Sequence, residues 1–211
     1  MRLFQILVWI IVCGEFVHAQ KDSVLIDRAL NSDGIYLSYD DFRRNNIIGK
    51  ERLLSDINKD QQEFVTKLLD GEKFSFINSD SLRVDMETLA PFAYRQNNTY
   101  YLNYNGDFYR VPVFGTISYF VATVVVVNPG FYDPRFGYGS TSTRTRELRE
   151  FVMDYYTGEV LEFRMEQVKS MLSRDKTIYA EFKKLSRRRQ KEQVYRFIRK
   201  YNERHPVYFL K

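Results

Sequence analysis

The sequence predicts an α+β fold: a mainly antiparallel sheet built from hairpins, followed by two or three C-terminal helices. Three patterns predict this class. Between residues 74 and 127, short runs rich in aromatic and β-branched residues are separated by turn residues. Asn105-Gly106 is the sequence of a tight hairpin turn. After about residue 164, apolar residues recur every three or four positions, which is the spacing of a helix with one buried side.

The first residues have the pattern of a secretory signal peptide. Arg2 precedes an apolar run over residues 3–12, and Val17-His18-Ala19 offers a cleavage site. The run is too short for a membrane-spanning helix, which needs about 20 apolar residues. We therefore expect residues 1–19 to be a cleaved signal peptide and residues 20–211 to form a single α+β domain.

Export sets the expected location of the chain, which is the periplasm or the exterior. Cys13 is a poor candidate for lipid attachment, because the β-branched Val12 precedes it where such sites favour a small residue. A lipoprotein is therefore not expected.

Cleavage would remove most of the reactive side chains. Cys13, Trp9 and His18 all lie in the leader, which leaves His205 as the one histidine of the mature chain. A cysteine nucleophile, a thiolate metal site, a two-histidine zinc site and a haem held by two histidines are then excluded. We expect no metal and no cofactor, and we interpret His205 as a polar residue where a helix gives way to an extended end.

The first half of the mature chain is predicted to contain one strand and one helix. Asp33-Gly34 forms a turn, and large residues alternate over 35–39 as in a strand that Asp40-Asp41 interrupts. Adjacent carboxylates point to opposite faces of an extended chain, so this pair predicts a turn and a helix cap rather than an acid/base pair. Residues 58–69 predict an amphipathic helix that stops at Gly71, with Leu53, Leu54 and Ile57 either in that helix or in a separate turn.

The strand region follows. Residues 100–104 and 108–113 predict a hairpin around Asn105-Gly106, and Pro112 indicates that one edge is unpaired. Asn97-Asn98-Thr99 matches a glycosylation acceptor but is interpreted as a turn. Residues 117–127 are almost continuously apolar, which predicts a central strand covered on both faces.

Residues 128–147 predict a long loop. The stretch is rich in Pro, Gly, Ser and Thr, and connections of this length are usually functional or disordered. Two interpretations stay open, a flexible linker or a loop that contacts a ligand or partner, since aromatic and Arg residues are common interface anchors. The candidate binding residues of the loop are Phe131, Tyr132, Arg135, Phe136 and Tyr138.

The last part of the chain predicts a second hairpin around Thr157-Gly158 and then helices. Asp175 is the expected cap of one helix, and a break is expected near Ser186, because the apolar stripes before and after it lie on opposite sides of a single helix. Residues 183–204 hold ten Lys or Arg residues against Glu192 and Glu203. A cluster of three arginines at a helix start opposes the helix dipole and predicts a binding role for Arg187, Arg188 and Arg189.

Three segments carry a resemblance to a known group. They are DGIYLSYDDF at 33–42, DYYTGE at 154–159 and KYNERHPVYF at 200–209. Together they resemble uncharacterised exported proteins of Gram-negative bacteria, over most of the mature chain. That group has no assigned activity, so the resemblance implies export and a single domain but no reaction.

Three functions from different classes remain open. The first is a non-catalytic cell-envelope protein that binds a protein or glycan partner through its aromatic strands and the 128–147 loop. The second is a peripheral module whose basic C-terminal helix binds anionic lipid, as at a membrane surface, or polysaccharide. The third is a carboxylate-based hydrolase. Nucleic acid is not an expected partner of an exported chain.

Overall fold

The computed structural model describes residues 24–25, 32–129, 132–133, 138–139 and 142–209. The predicted signal peptide lies outside these residues. The α+β class is confirmed, with antiparallel hairpin strands followed by C-terminal helices.

The described strands are all antiparallel to their partners, and most of the helices follow them in the chain. The strands are β1 Val24–Leu25, β2 Gly34–Tyr36, β3 Ile48–Gly49, β4 Leu53–Leu54, β5 Lys73–Ile77, β6 Arg83–Glu87, β7 Ala93–Gln96, β8 Thr99–Tyr104, β9 Asp107–Arg110, β10 Ile117–Asn128, β11 Tyr132–Asp133, β12 Tyr138–Gly139, β13 Thr143–Asp154, β14 Val160–Glu162 and β15 Tyr208–Phe209. The helices are α1 Tyr39–Arg44, α2 Phe64–Leu69, α3 Met165–Leu172, α4 Lys176–Lys183 and α5 Arg187–Arg204.

The strands form one five-stranded sheet, two three-stranded sheets and two short pairs. The five-stranded sheet has the order β3-β2-β7-β8-β9, and the three-stranded sheets have the orders β4-β5-β6 and β10-β13-β14. The short pairs are β1-β15 and β11-β12. Strand β9 lies at the edge of its sheet, as Pro112 after it indicated.

Two tight turns fix the register of the five-stranded sheet. Asn105 and Gly106 have φ angles of 56° and 90°, and Asn97 and Asn98 have φ angles of 50° and 59°. Two successive positive φ angles are what a two-residue type I′ hairpin requires, and Asn and Gly tolerate them best. The predicted hairpin is confirmed, and so is the interpretation of Asn97-Asn98 as a turn.

The predicted strand over 35–39 is shorter than expected. Strand β2 ends at Tyr36, and Ser38 begins helix α1 through a capping box: its Oγ accepts from the Asp41 N–H at 3.0 Å, and the Asp41 carboxylate accepts from the Ser38 N–H at 3.1 Å. Reciprocal capping of this kind satisfies backbone donors that the first helical turn leaves free. The prediction that the strand continues to Tyr39 is wrong. The interpretation of Asp40-Asp41 as part of a helix cap is confirmed.

The predicted helix over 58–69 begins later than expected. Helix α2 covers only Phe64–Leu69, while residues before it form turns and Leu53–Leu54 forms strand β4. Asn58 explains the delay, because its side-chain oxygen accepts from the Asp60 N–H at 2.9 Å and so stabilises a turn instead of a helix.

Three buried clusters hold the fold together. One packs α1 and the chain end against the five-stranded sheet and includes Phe120 and Phe151. A second packs the C-terminal helices against Ile117 and Val152. The third packs α2 against strands that precede β7 in the chain and against Tyr94, which lies in β7. The first residues of β10 are thus covered on both faces.

The rest of β10 departs from the prediction. Its only partner among the described strands is β13, and its burial fades along its length until Val125 and Val127 are 59% and 56% exposed. The prediction of burial on both faces is therefore right for residues 117–120 and wrong further along, and the prediction of a central strand is wrong because β10 lies at the edge of its three-stranded sheet. Strand β13 begins at Thr143, so the predicted 128–147 loop is also shorter than expected.

The secondary structure predicted for the C-terminal part of the chain is confirmed. The hairpin between β13 and β14 turns at Gly158, which has a φ of 74°. The Asp175 carboxylate caps α4 by accepting from the N–H groups of Thr177 and Ile178, and Ser186 caps α5. The expected break at Ser186 therefore separates α4 from α5.

Candidate functional site: a two-stranded arm

Strands β10 and β13 form a ladder of twelve residue pairs, from Ile117 opposite Asp154 to Asn128 opposite Thr143. Residues 117–120 and 151–154 form its root, which is buried between two clusters. Residues 121–128 and 143–150 extend from the root, and we call these two segments the arm. An isolated two-stranded hairpin is marginally stable in water, so an exposed extension of this kind is unusual without a partner.

The third strand of this sheet does not reach the arm. Strand β14 pairs only with Phe151–Met153, and the last bond along that edge runs from the Phe163 N–H to the Glu150 carbonyl at 2.8 Å. The chain then enters α3 at Met165. Within the described residues, no strand covers the edge of β13 beyond Glu150.

The hydrogen bond from Phe163 to Glu150 shows in which direction the backbone groups of β13 point. Every second residue of an antiparallel strand directs both its N–H and its C=O to the same neighbour. Because Glu150 faces β14, the backbone groups of Leu148, Arg146 and Arg144 point to the uncovered edge. Those of Glu147 and Arg149 point to β10 and are paired within the ladder.

One face of the arm combines apolar and basic side chains. At the root this face carries Ile117 and Val152, which pack on the C-terminal helices, so we call it the helix-side face. Further out, Leu148 is 76% exposed, and Arg146 and Arg144 lie opposite Val125 and Val127. Neither arginine forms an ion pair with a described residue. Exposed apolar side chains with unpaired charges beside them are typical of interaction surfaces.

On its opposite face the arm packs through Ala122 and Val124 of β10 on the first cluster, and its β13 side is polar and internally paired. It carries Thr143, Thr145, Glu147 and Arg149 on β13. The Arg149 guanidinium bridges the carboxylates of Glu147 at 3.1 Å and Glu162 at 3.4 Å. The charges of this face therefore neutralise each other, unlike those of the helix-side face.

A cluster of tyrosines holds the arm against helix α5. The Glu150 carboxylate accepts hydrogen bonds from the hydroxyls of Tyr119 and Tyr195, each at 2.9 Å. The ring of Phe163 stacks on Tyr195 with centroids 5.4 Å apart. Burial, together with the hydrogen bonds of this cluster, raises the pKa of Tyr119 far above its usual range. Both hydroxyls thus remain protonated donors at neutral pH, and they tie Glu150, at the start of the arm, to α5.

A groove separates the arm from the tip of the β8–β9 hairpin. It has a volume of about 510 Å³ and is lined by Val125 and Arg146 on the arm and by Phe108 and Asp107 on the hairpin. The Tyr109 hydroxyl spans part of this gap, because it donates to the Thr123 carbonyl at 3.2 Å. The β10 edge of the arm is therefore partly covered, whereas the β13 edge is open.

The loop residues predicted to bind a partner lie beyond the arm. Tyr132 and Tyr138 fall in the short pair β11-β12, where Tyr132 lies opposite Gly139 and Asp133 opposite Tyr138. Phe131, Arg135 and Phe136 lie outside the described residues. The binding role of all five residues stays a prediction.

The three arginines predicted to bind an anionic surface occupy the first turn of α5. Arg187, Arg188 and Arg189 are all exposed. Arg188 pairs with Glu192 across one helical turn at 2.9 Å, while the other two form no ion pair with a described residue. No hydrogen bond or ion pair joins these arginines to the described part of the arm.

The aromatic strands contribute mainly to the core. Tyr36, Tyr94 and Tyr100 are buried, and their rings pack against other aromatic rings. Of the tyrosines in residues 32–129 and 142–209, Tyr156 and Tyr208 are the exposed ones. The tyrosine-rich strands thus place much of their aromatic surface in the core, and their role in binding a partner stays a prediction.

Among the residues whose burial the structure describes, two carboxylates are buried, and both serve structural roles. Asp154 binds the guanidinium of Arg174 and accepts from the Tyr156 N–H at 2.9 Å. Asp175 caps α4 and also binds His205 at 2.9 Å and Arg204 at 3.1 Å. His205 thus lies at the end of α5, as the sequence predicted, and binds Asp175 there. Across the described ranges, no group of acidic, His or Cys residues is arranged to hold a metal ion.

Sequence reasoning missed the exposed residues of the arm. A signal was present, because residues 117–127 contain no charge and residues 143–146 alternate Thr and Arg. An edge strand normally carries charges that discourage pairing, and a long run without them marks an unusual strand. The exposure of Val125, Val127 and Leu148 required knowledge of what covers each strand.

Comparisons with protein-family models, with curated proteins and with solved structures find no match. Within the part of the chain that the structure describes, no helix has the length and apolarity to cross a membrane.

Proposed function

We propose that this chain is a non-catalytic binding protein that recognises a protein partner through the arm. The observation that carries the proposal is the exposure of Val125, Val127 and Leu148 on a two-stranded extension with an uncovered edge. A protein is a better partner than a glycan, because sugars pack on exposed aromatic rings, and the described part of the arm presents aliphatic side chains instead. Arg144 and Arg146 carry positive charges, which favour an acidic partner surface over a basic one.

The experiment uses a variant with a shortened arm. Val124 and Glu147 lie opposite each other and direct their backbone groups to one another, so a two-residue turn fits between them. Replacing residues 125–146 by Asn-Gly removes most of the exposed face and leaves the root intact. The original protein and this variant are immobilised and exposed to extracts of the cells that produce the chain, and the bound proteins are quantified by mass spectrometry.

We expect a partner that the original protein retains and the shortened-arm variant loses. A variant with Arg187→Ser, Arg188→Ser and Arg189→Ser is the matched control, because it changes a charged surface outside the arm. If the shortened-arm variant retains the same proteins as the original, the arm is not the binding site and the proposal is wrong.

A second candidate function rests on helix α5. Arg187, Arg189 and Lys191 are exposed and unpaired among the described residues, which favours contact with an anionic lipid surface. The triple Arg→Ser variant should then lose salt-sensitive binding to vesicles that contain phosphatidylglycerol. Equal binding by the original and the variant would remove this candidate.

Export is the remaining part of the proposal, and the N-terminal sequence supports it. The apolar run over residues 3–12 and the small residues before position 20 match a cleavable leader. Mass spectrometry of the protein isolated from its source should give an N-terminus near Gln20. A protein that retains Met1 through Ala19 would contradict export by this route.

A further inference from the structure

We infer that the uncovered edge of β13 receives an extended, acidic peptide segment of the partner as an additional antiparallel strand. The inference rests on the proposed function and specifies how the arm binds. The added strand would lie beside residues 143–148, in line with β14, and would extend the order β10-β13-β14 along the arm.

The backbone provides the first argument. The N–H and C=O groups of Leu148, Arg146 and Arg144 point to this edge, and within the described residues they have no hydrogen-bond partner. Unpaired groups of an edge strand are a template for another strand, and peptides bind many proteins in this way. The other edge of the arm is less suitable, because the Tyr109 hydroxyl already binds the Thr123 carbonyl there.

The side chains provide the second argument and define the occupant. Residues directly opposite each other in an antiparallel pair share a face, so three side chains of the added strand would lie beside Leu148, Arg146 and Arg144. The first position favours an apolar residue, and the other two favour Asp or Glu, since both arginines are exposed and lack a carboxylate partner among the described residues.

The polar face adds selectivity. On this face Arg149 forms ion pairs with Glu147 and Glu162. These charges are already paired, so a charged residue on that side of the added strand would find no free charge to bind. The preferred segment therefore has alternating acidic and uncharged residues, with an apolar residue at the end that meets Leu148. A basic segment of the same pattern would place like charges opposite each other, which is unfavourable.

The test uses two synthetic peptides that differ only in charge. VTETET, aligned antiparallel, places Val opposite Leu148 and Glu opposite Arg146 and Arg144, while VTKTKT places Lys at those two positions. Each is titrated into the isotopically labelled mature protein, and backbone amide resonances and amide hydrogen exchange are followed by NMR, which detects weak binding. In the free protein, the amides of Leu148, Arg146 and Arg144 should exchange faster than those of Glu147 and Arg149.

With VTETET, we expect the Leu148, Arg146 and Arg144 amides to shift and to exchange more slowly, in alternation with their neighbours. VTKTKT should bind at least about tenfold more weakly, and Arg144→Ser with Arg146→Ser should remove the difference between the two peptides. This alternation is specific to strand addition, because a ligand resting on the face of the arm would affect neighbouring residues alike.

Several outcomes would overturn the inference. Equal binding of the two peptides, absence of binding, or shifts without alternation would exclude an acidic strand on this edge. Slow exchange of the three amides in the free protein, together with a concentration-dependent dimer in analytical ultracentrifugation, would identify a second copy as the occupant. Perturbation by anionic vesicles but by neither peptide would identify a lipid surface. If the shortened-arm variant still loses the cellular partner in these cases, the proposed function stands and only the strand-addition mode is wrong.

Discussion

The Asn202 side chain pairs with the backbone of Ile117 as a neighbouring strand would. Asn202 Nδ2 donates to the Ile117 carbonyl, and the Ile117 N–H donates to Asn202 Oδ1, both at 2.8 Å. Asn202 lies on α5, and Ile117 is the first residue of β10. The helix thus completes the hydrogen bonding at the start of the arm root, where the described structure has no further strand.

Replacing Asn202 should destabilise the root. Asn202→Ala leaves the N–H and C=O of the fully buried Ile117 without partners, and such a loss costs about 1 to 3 kcal/mol per group. We expect the free energy of unfolding, measured by urea denaturation, to fall by roughly 2 to 4 kcal/mol. Glu203→Ala, at the exposed next residue, is the matched control and should change stability by less than about 0.5 kcal/mol. An equal effect of both substitutions would contradict the role of Asn202.

The capping box of α1 predicts a difference between two adjacent carboxylates. Asp41 accepts from the Ser38 N–H and from Asn46 Nδ2, whereas Asp40 forms only an exposed ion pair with Arg44. Asp41→Ala should therefore lower the free energy of unfolding by about 1 kcal/mol, and Asp40→Ala by less than about 0.5 kcal/mol. Thermal or urea denaturation of the two variants measures this. The reverse order would mean that the ion pair, and not the cap, stabilises the helix.

Local chemistry explains which elements the sequence predicts well. Asn105-Gly106 and Gly158 specify their turns because few other residues adopt a positive φ without strain. Asp175 and Ser186 specify helix starts in the same local way. Helix α1 was missed although its signal was present: Ser38 and Asp41 have the spacing of a capping box, but the alternation before them suggested a longer strand.

The arm could not be predicted in the same way, because burial depends on residues distant in the chain. Ile117 and Val127 have similar side chains and lie in one apolar run, yet the first is fully buried and the second is 56% exposed. The difference arises because α5 covers only the root, and the five-stranded sheet covers the start of the arm as far as Ala122 and Val124 but does not reach Val127. The sequence also placed Thr143 and Arg144 in a loop. They form a strand because they pair with β10, a partner that is distant in the chain and that local sequence does not reveal.

Shortening the arm should have little effect on folding. The side chains of Val125, Val127, Arg144 and Arg146 are mostly exposed, so removing them sacrifices little buried apolar area. We expect the variant with Asn-Gly in place of residues 125–146 to keep its free energy of unfolding within about 1 kcal/mol of the original. Urea denaturation measures this, and circular dichroism checks that the helices are unchanged.

A matched variant tests the root instead. Phe151→Ala removes a buried ring that stacks on Phe120 and lies 4.5 Å from the Tyr104 ring, measured between centroids. It should lower the free energy of unfolding by about 3 to 5 kcal/mol. If shortening the arm costs as much as Phe151→Ala, the arm is part of the folding core and its exposed residues are not free to serve a partner.

The last prediction concerns the acid stability that Asp175 confers. Hydrogen bonds from the Ile178 N–H and from the His205 side chain, together with the charge of Arg204, hold the pKa of Asp175 below its ordinary value of 3.8. A carboxyl whose pKa is lower in the folded state stabilises the fold above its ordinary pKa. That contribution is lost as the pH falls through the folded-state pKa.

Asp175→Asn keeps a side-chain oxygen at the cap but lacks the charge that attracts Arg204 and His205. At neutral pH the variant should be less stable than the original protein, and this difference should shrink as the pH falls below about 4, where the original carboxyl also becomes neutral. Urea denaturation of both proteins from neutral pH down to about pH 2 measures it. Asp60→Asn is the control, because Asp60 is exposed and forms no ion pair with a described residue. The free energies of unfolding of Asp175→Asn and the original protein could instead differ by the same amount at every pH. The neutral amide would then differ equally from the charged and the neutral carboxyl, and the carboxylate charge would not contribute to stability.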